Sequence, residues 1–357
     1  MWFLTYLVIF VSGLALTALL VRKMIVLAVL RGMIDYPAEH KFHQKPTPLL
    51  GGVGIFLGFW ITVLTGVAVI GFAGLYIPSL IRQYADGVWL RLPWLGVVLV
   101  GGLAMGICGL YDDKYNLNAP AKLGIQLIVA VITVAAGIRA RLFLPEPLSY
   151  LISITWILVI TNSFNLLDNM DGVSAGCAFI AGFFLFLIAC IMQNYFVASF
   201  LACFMGCLIG FLIFNFPPAS IFMGDCGSMF IGYIMSVVTI VGTYYGPGSS
   251  TVFSVVIPLV VLAVPIFDTV SVMVIRLTNK KPVFTADKNH FSHRLAAMGM
   301  DVKTAVLFLY LVTFCLGLSS LLVPLLPVLG VIVVLFQTAG IIGIIAVIEY
   351  YNRKPSL

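Results

Sequence analysis

The sequence predicts an all-α fold: a polytopic transmembrane helical bundle of about eleven spans (10–11), in a single integral-membrane domain over residues 1–357. Three observations carry this. Hydrophobic residues make up 62% of the chain and charged ones only 9%, with mean hydropathy +1.15; a soluble domain carries roughly a quarter charged residues. Apolar runs near the ~20 residues needed to cross a hydrocarbon core recur along the chain. Breaks rich in Gly, Pro and Asn separate them, and because exposed loops cannot lie in lipid, the runs must be helices.

In order, the runs lie near residues 2–21, 50–74, 94–111, 122–139, 149–166, 173–191, 196–214, 227–245, 252–275, 303–323 and 328–349. The first has no basic segment ahead of it and no small-residue cleavage site followed by a soluble domain. It therefore reads as a retained span, not a cleaved signal. The seven cysteines (108, 177, 190, 203, 207, 226, 315) form no CxxC pair or Cys/His set and read as small core residues.

Lys and Arg set the orientation. One set of loops carries Arg22, Lys23, Arg31, Lys41, Lys45, Lys114, Lys122, Arg276, Lys280, Lys281, Lys288, Arg294, Lys303, Arg353 and Lys354. The opposite set carries only Arg82, Arg91, Arg139 and Arg141, a split of 15 to 4. The first set is expected to be cytoplasmic, with the N-terminus outside and the C-terminus inside. The net charge of +6 is spread between apolar segments, which argues against a nucleic-acid partner. Acids show a separate bias. Asp35, Glu39, Asp112, Asp113, Asp168, Asp171, Asp225, Asp287 and Asp301 fall on the cytoplasmic side, and only Asp86 and Glu146 fall clearly outside.

Four clusters on that side carry chemistry. Asp112 and Asp113 end the third span in "CGLYDDKYNLNAPAKLG", with Lys114 and Lys122 nearby. Adjacent carboxylates at a helix C-terminus face an unfavourable dipole; they suit a hard cation or a proton site, or simply start a solvated loop. In "FNLLDNMDGV", Asn165, Asp168 and Asp171 share a face if the segment is helical; the alternative is a polar helix end with a turn at "DNMDG". In "FMGDCGS", glycines flank Asp225 at a helix start, a place for a phosphate or an N-cap. In the 276–302 loop, "FTADKNHFSHRL" gathers Asp287, Lys288, His290, His293 and Arg294, a set suited to diphosphate recognition or to anionic lipid heads. Carboxylates, Lys, Arg and His from separate loops at one face meet the needs of Mg²⁺-dependent chemistry on a diphosphate. An enzyme at that face takes one soluble and one lipid substrate.

At these residues the chain resembles the polyprenyl-phosphate N-acetylhexosamine-1-phosphate transferases. These include enzymes that start O-antigen, enterobacterial common antigen and teichoic acid linkage, and the translocase of peptidoglycan synthesis. The matching stretches are "HQKPTPLLGG", "GLYDDK", "NSFNLLDNMDG", "FNFPPASIFMGDCGS" and "DKNHFSHRL", in order from about residue 31 to 300. The resemblance implies a cytoplasmic cleft formed by loops at about 31–50, 112–122, 165–172, 215–228 and 276–302. It implies transfer of a sugar-1-phosphate, GlcNAc-1-phosphate for this group, from a UDP-N-acetylhexosamine to polyprenyl (undecaprenyl) phosphate at the bacterial inner membrane, with release of UMP. It implies Mg²⁺, with Mn²⁺ as a substitute, and often a homodimer.

Carried over by position, the resemblance makes Asp225 the main metal ligand, with Asn165 and Asp168 shaping the metal and nucleotide pocket. Asp171 and Phe222 become uridine-pocket residues. Asp112 and Asp113 become the acidic pair near the acceptor phosphate, while Lys122 and Arg294 become phosphate holders. Lys45, Asn215, Asp287, Lys288, His290 and His293 complete the substrate-binding set. The stretches "HFSHRL" and "TPLLGG" stand where the peptidoglycan translocase carries a three-histidine run and "TPTMGG", which favours the N-acetylhexosamine group. Two other classes compete: a secondary transporter, for which Asp268 in "VPIFDTV" would be a proton relay and not a partner at a helix break, and a lipid-binding scaffold.

Overall fold

The structure is a computed structural model and describes residues 2–37, 45–72, 85–140, 145–242, 251–280, 282 and 289–353. Thirteen α-helices are described: α1 (Trp2–Arg31), α2 (Gly51–Phe72), α3 (Ala85–Tyr115), α4 (Ala119–Ala135), α5 (Glu146–Leu167), α6 (Val173–Ile191), α7 (Tyr195–Asn215), α8 (Gly224–Val241), α9 (Thr251–Val261), α10 (Ala263–Thr278), α11 (Phe291–Ala297), α12 (Val302–Leu322) and α13 (Val328–Arg353). Nine of them are long and apolar enough to cross a membrane. The fold is the expected all-α membrane bundle. The remaining two runs are the shorter α4 and the pair α9–α10.

That pair differs from the single span expected over 252–275. Leu262 leaves helical geometry (φ −99, ψ 16) between Val261 and Ala263. The cause is Pro265, whose ring cannot pass the carbonyl of Val261 in a continuous helix. In the first turn of a new helix its missing N–H is no loss. Other helices run past their apolar windows: α1 continues to Arg31 and α3 to Tyr115, so Asp112 and Asp113 sit in a helix's last turn.

Helix α8 is the axis of the bundle: 83% of its apolar window is buried, against 17% for α13 at the rim. Every residue from Cys226 to Ile240 is buried, Ser228, Ser236 and Thr239 included. Small residues let neighbours in. A Cβ at Gly52 of α2 would lie 2.2 Å from the Gly227 nitrogen, and one at Gly109 of α3 would lie 2.2 Å from the Asp225 carbonyl oxygen. Some polar groups inside the bundle pair across helices, as in Thr133 Oγ1 with Tyr233 OH at 2.9 Å and Trp156 Nε1 to Thr239 Oγ1 at 3.0 Å.

A two-stranded antiparallel hairpin, β1 (Ile34–Asp35) and β2 (Thr47–Pro48), joins α1 to α2. A bridge from Leu49 to Phe222 ties it to the loop before α8, with Phe222 N donating to the Pro48 carbonyl at 2.8 Å and Gly51 N to the Phe222 carbonyl at 2.9 Å. Up-and-down connectivity then brings the α3–α4, α5–α6 and α7–α8 connections to the same end as this hairpin.

Candidate active site

At that end opens a cavity of about 1500 Å³. Of the residues proposed from sequence, Lys45, Asp112, Asp113, Lys122, Asn165, Asp168, Asp171, Asn215, Phe222, Asp225, His290 and His293 all line it. Asp287 and Lys288 lie outside the described residues. Arg294 is not among the lining residues and is treated below.

Lys122, in the first turn of α4, is the hub. Its Nζ donates to Asp112 Oδ2 of α3 at 2.7 Å, to Asn165 Oδ1 of α5 at 3.1 Å, and to Asp225 Oδ2 of α8. Asn165 Nδ2 in turn donates to Asp225 Oδ1 at 2.9 Å and to Ser228 Oγ at 2.8 Å. Three sequence clusters separated by up to 103 residues thus meet at one ammonium. The sequence places Lys122 there for a local reason: Asn118 caps α4, accepting from Ala121 N at 2.9 Å, and Pro120 stands in the first turn.

The two aspartates of "YDDK" have separate jobs. Asp112 Oδ1 accepts from Leu117 N at 2.6 Å, closing the α3–α4 turn, while its Oδ2 faces Lys122. Asp113 points the other way and accepts from Asp225 N at 2.7 Å and Cys226 N at 3.2 Å. It caps α8 across the bundle, since Met223 at the N-cap offers no side-chain bond. A carboxylate suits the positive end of a helix dipole. The two N–H groups that a phosphate would have used at this helix start are therefore taken by Asp113. Gly224, at φ +71, makes the approach feasible, because a Cβ there would lie 2.6 Å from Asp113 Oδ2.

The stretch Asn165 to Asp171 is not one helical face. Helix α5 ends at Leu167, Asp168 is its C-cap, and Asp171 lies in the turn before α6. Asp168 faces the cavity, and among the described residues its carboxylate meets no hydrogen-bond donor. Loss of water around it, followed by repulsion from Asp225, Asp113 and Asp171, holds its carboxyl well above the usual carboxylate range. Asp171 Oδ2 accepts from Ala219 N at 2.9 Å and so fixes the loop after α7. Asn215 spends both ends of its amide on backbone: Oδ1 accepts from Gly172 N at 2.9 Å and Nδ2 donates to the Ile221 carbonyl at 2.8 Å. The Gly172 carbonyl accepts from Tyr310 OH of α12 at 2.6 Å. Tyr310 carries no motif, and only its place in the fold reveals its part in holding this turn.

The opposite wall comes from α10 and α11. Asp268, fully buried, accepts from Phe291 N at 2.5 Å through Oδ1 and pairs with His290 Nδ1 at 2.9 Å through Oδ2. From within α10 it caps the start of α11 and so holds α11 against α10; it does not stand at the α9–α10 break. Ser292 Oγ bonds Asn169 Oδ1, joining α11 to the α5–α6 turn. Arg276, in the last turn of α10 and buried, also lines the cavity; the sequence marked it only as one cytoplasmic cation among many. Further along, the cavity turns apolar between Leu123, Leu158, Val159, Val270 and Met273.

Among the described residues no three His, Cys, Asp or Glu side chains form a ready metal centre. The donor chemistry nonetheless fits a hard cation. Two carboxylate oxygens and an amide oxygen already converge on a positive charge, the Lys122 ammonium, and hard divalent ions take oxygen ligands completed by substrate phosphates.

Comparison with known proteins shows what the chain is similar to. The model of glycosyl transferase family 4 matches residues 95–243. A Bacillus subtilis protein named as a probable undecaprenyl-phosphate N-acetylglucosaminyl 1-phosphate transferase is 35% identical over 316 residues, covering 86% of this chain and 82% of its own. The decaprenyl-phosphate N-acetylglucosaminephosphotransferase of Mycolicibacterium smegmatis is 30% identical, over 80% of this chain and 74% of its own. The undecaprenyl-phosphate alpha-N-acetylglucosaminyl 1-phosphate transferase of Escherichia coli K12 is 24% identical, over 78% and 73%. The chain therefore belongs to glycosyl transferase family 4, the polyprenyl-phosphate N-acetylhexosamine-1-phosphate transferases that its motifs resemble.

Proposed function

We propose that this protein transfers GlcNAc-1-phosphate from UDP-GlcNAc to a polyprenyl phosphate at the cytoplasmic face of the bacterial inner membrane, releasing UMP. The observation that carries the reading is the junction at Lys122, where carboxylates from two helices and an amide from a third surround a cation at the floor of a cavity that is polar at one end and apolar at the other. That polarity matches a diphosphate donor and a lipid acceptor. The names of the relatives support the lipid acceptor and the N-acetylglucosamine phosphate group. The excess of Lys and Arg at the cavity end supports the cytoplasmic placement.

An oxygen of the acceptor phosphate attacks the β-phosphorus of the donor. A new P–O bond forms, the bond to the bridging oxygen breaks, and its electron pair leaves on UMP. Asp112, Asp225 and Asn165 would hold a divalent cation, with Asp168 within its field; bound Mg²⁺ supplies neutralisation of the diphosphate and of the departing UMP. Lys122 then exchanges carboxylate oxygens for phosphate oxygens, a move for which its flexible stem is suited. Asp168, the carboxylate open to the cavity, takes a residual proton from the acceptor phosphate. Both oxygens of Asp112, Asp113 and Asp225 are already engaged, so a rival route through an aspartyl-phosphate would have to use Asp168. A panel of UDP-sugars given to the purified protein with polyprenyl phosphate and Mg²⁺ tests this. UMP release should be fastest with UDP-GlcNAc and should not occur without lipid. Release with none of the donors overturns the reading.

A further inference from the structure

Arg294 stands in the "HFSHRL" motif, yet its guanidinium is turned away from the cavity and only 5% exposed. Every donor edge is engaged elsewhere. Nε donates to Glu349 Oε1 of α13 at 3.0 Å, Nη2 to Ser271 Oγ of α10 at 2.9 Å, and Nη1 to the Asn289 carbonyl just before α11. Two rings flank it, Phe267 at 5.8 Å and Phe291 at 5.7 Å. Glu349 is as deeply buried, at 7% exposure. It is the one acid in α13, a helix with no other charged residue before Arg353 and most of it on the bundle's rim.

The consequence reaches the cavity through α11. That seven-residue helix presents His290 and His293 to the cavity. It hangs from α10 by Asp268 at its start and from α13 by Arg294 at its middle. Without Glu349 the buried guanidinium keeps only neutral partners, and an unpaired buried charge pulls its element toward water. We infer that Glu349 is a positioning residue: by neutralising Arg294 it locks α11 between α10 and α13 and so sets His290 and His293 against the donor substrate. On this inference Arg294 is a clamp and not a phosphate ligand.

The inference rests on the transferase reading, and the two are separable. Wild-type turnover tests the reading alone, and ratios of variant to wild type test the clamp. We expect Glu349→Gln to raise the KM for UDP-GlcNAc about tenfold while leaving the KM for polyprenyl phosphate within about twofold. Arg294→Met should do much the same. The decisive protein is the double variant Glu349→Leu/Arg294→Met, in which apolar side chains of similar size replace the pair, an exchange that buried ion pairs often tolerate. It should bind UDP-GlcNAc better than either single variant. A double variant no better than Arg294→Met, in protein that remains monodisperse in detergent, overturns the inference and returns Arg294 to direct contact with substrate. So does a Glu349→Gln enzyme with unchanged KM.

Discussion

At the scale of single residues, the active end depends on one backbone position that lets charge approach. Gly224 adopts φ +71 and lies against the Asp113 carboxylate, so Asp113 can cap α8 and fix Asp225 beside Lys122. Gly224→Ala brings a left-handed conformation costing about 1–2 kcal/mol and pushes a Cβ into that carboxylate. The expected outcome is a lower Tm and at least a tenfold loss of turnover; a variant with wild-type activity would show that the cap does not govern Asp225. The neighbouring aspartates of "YDDK" look alike in sequence, and their division of labour was not legible there. One closes a local turn and faces Lys122, the other reaches α8 more than a hundred residues away, and only the packing of α3 on α8 separates those roles.

At the scale of elements, the reading of apolar runs recovers the helices well, because hydrocarbon thickness imposes their length. It fails where the bilayer is not the constraint. Pro265 splits one expected span into α9 and α10, and Asp268 inside α10 then meets Phe291 N and His290. The turn from Asp168 to Gly172 is another such place. It is held from three sides, by Asn215, by Ser292 through Asn169, and by Tyr310 OH on the Gly172 carbonyl. Tyr310→Phe removes one hydroxyl and little volume. It should lower stability by about 1 kcal/mol, the net worth of a typical hydrogen bond, and reduce kcat a few-fold, as read by thermal unfolding and turnover on the same preparation. No change in either would mean the other two anchors suffice.

At the scale of the molecule, the charge asymmetry along the chain and the cavity coincide. Lys45, Lys122, Arg276 and Lys303, all from the Lys- and Arg-rich set, line it. What the sequence could not supply is convergence: Lys122 reads locally as one of several loop cations, and its junction with Asp112, Asn165 and Asp225 exists only once α3, α4, α5 and α8 are packed. The same holds for Arg294 and Glu349, 55 residues apart and in different elements. The central claim is that this junction is the reaction centre of a lipid-dependent sugar-phosphate transfer. The most direct measurement is UMP release from UDP-GlcNAc by purified wild-type protein and by Lys122→Met, each with and without polyprenyl phosphate. The account predicts release by the wild type only when lipid is present, one lipid-linked GlcNAc per UMP, and a loss of about a hundredfold or more in folded Lys122→Met. Lipid-independent release, or a Lys122→Met protein that turns over like the wild type, would contradict it.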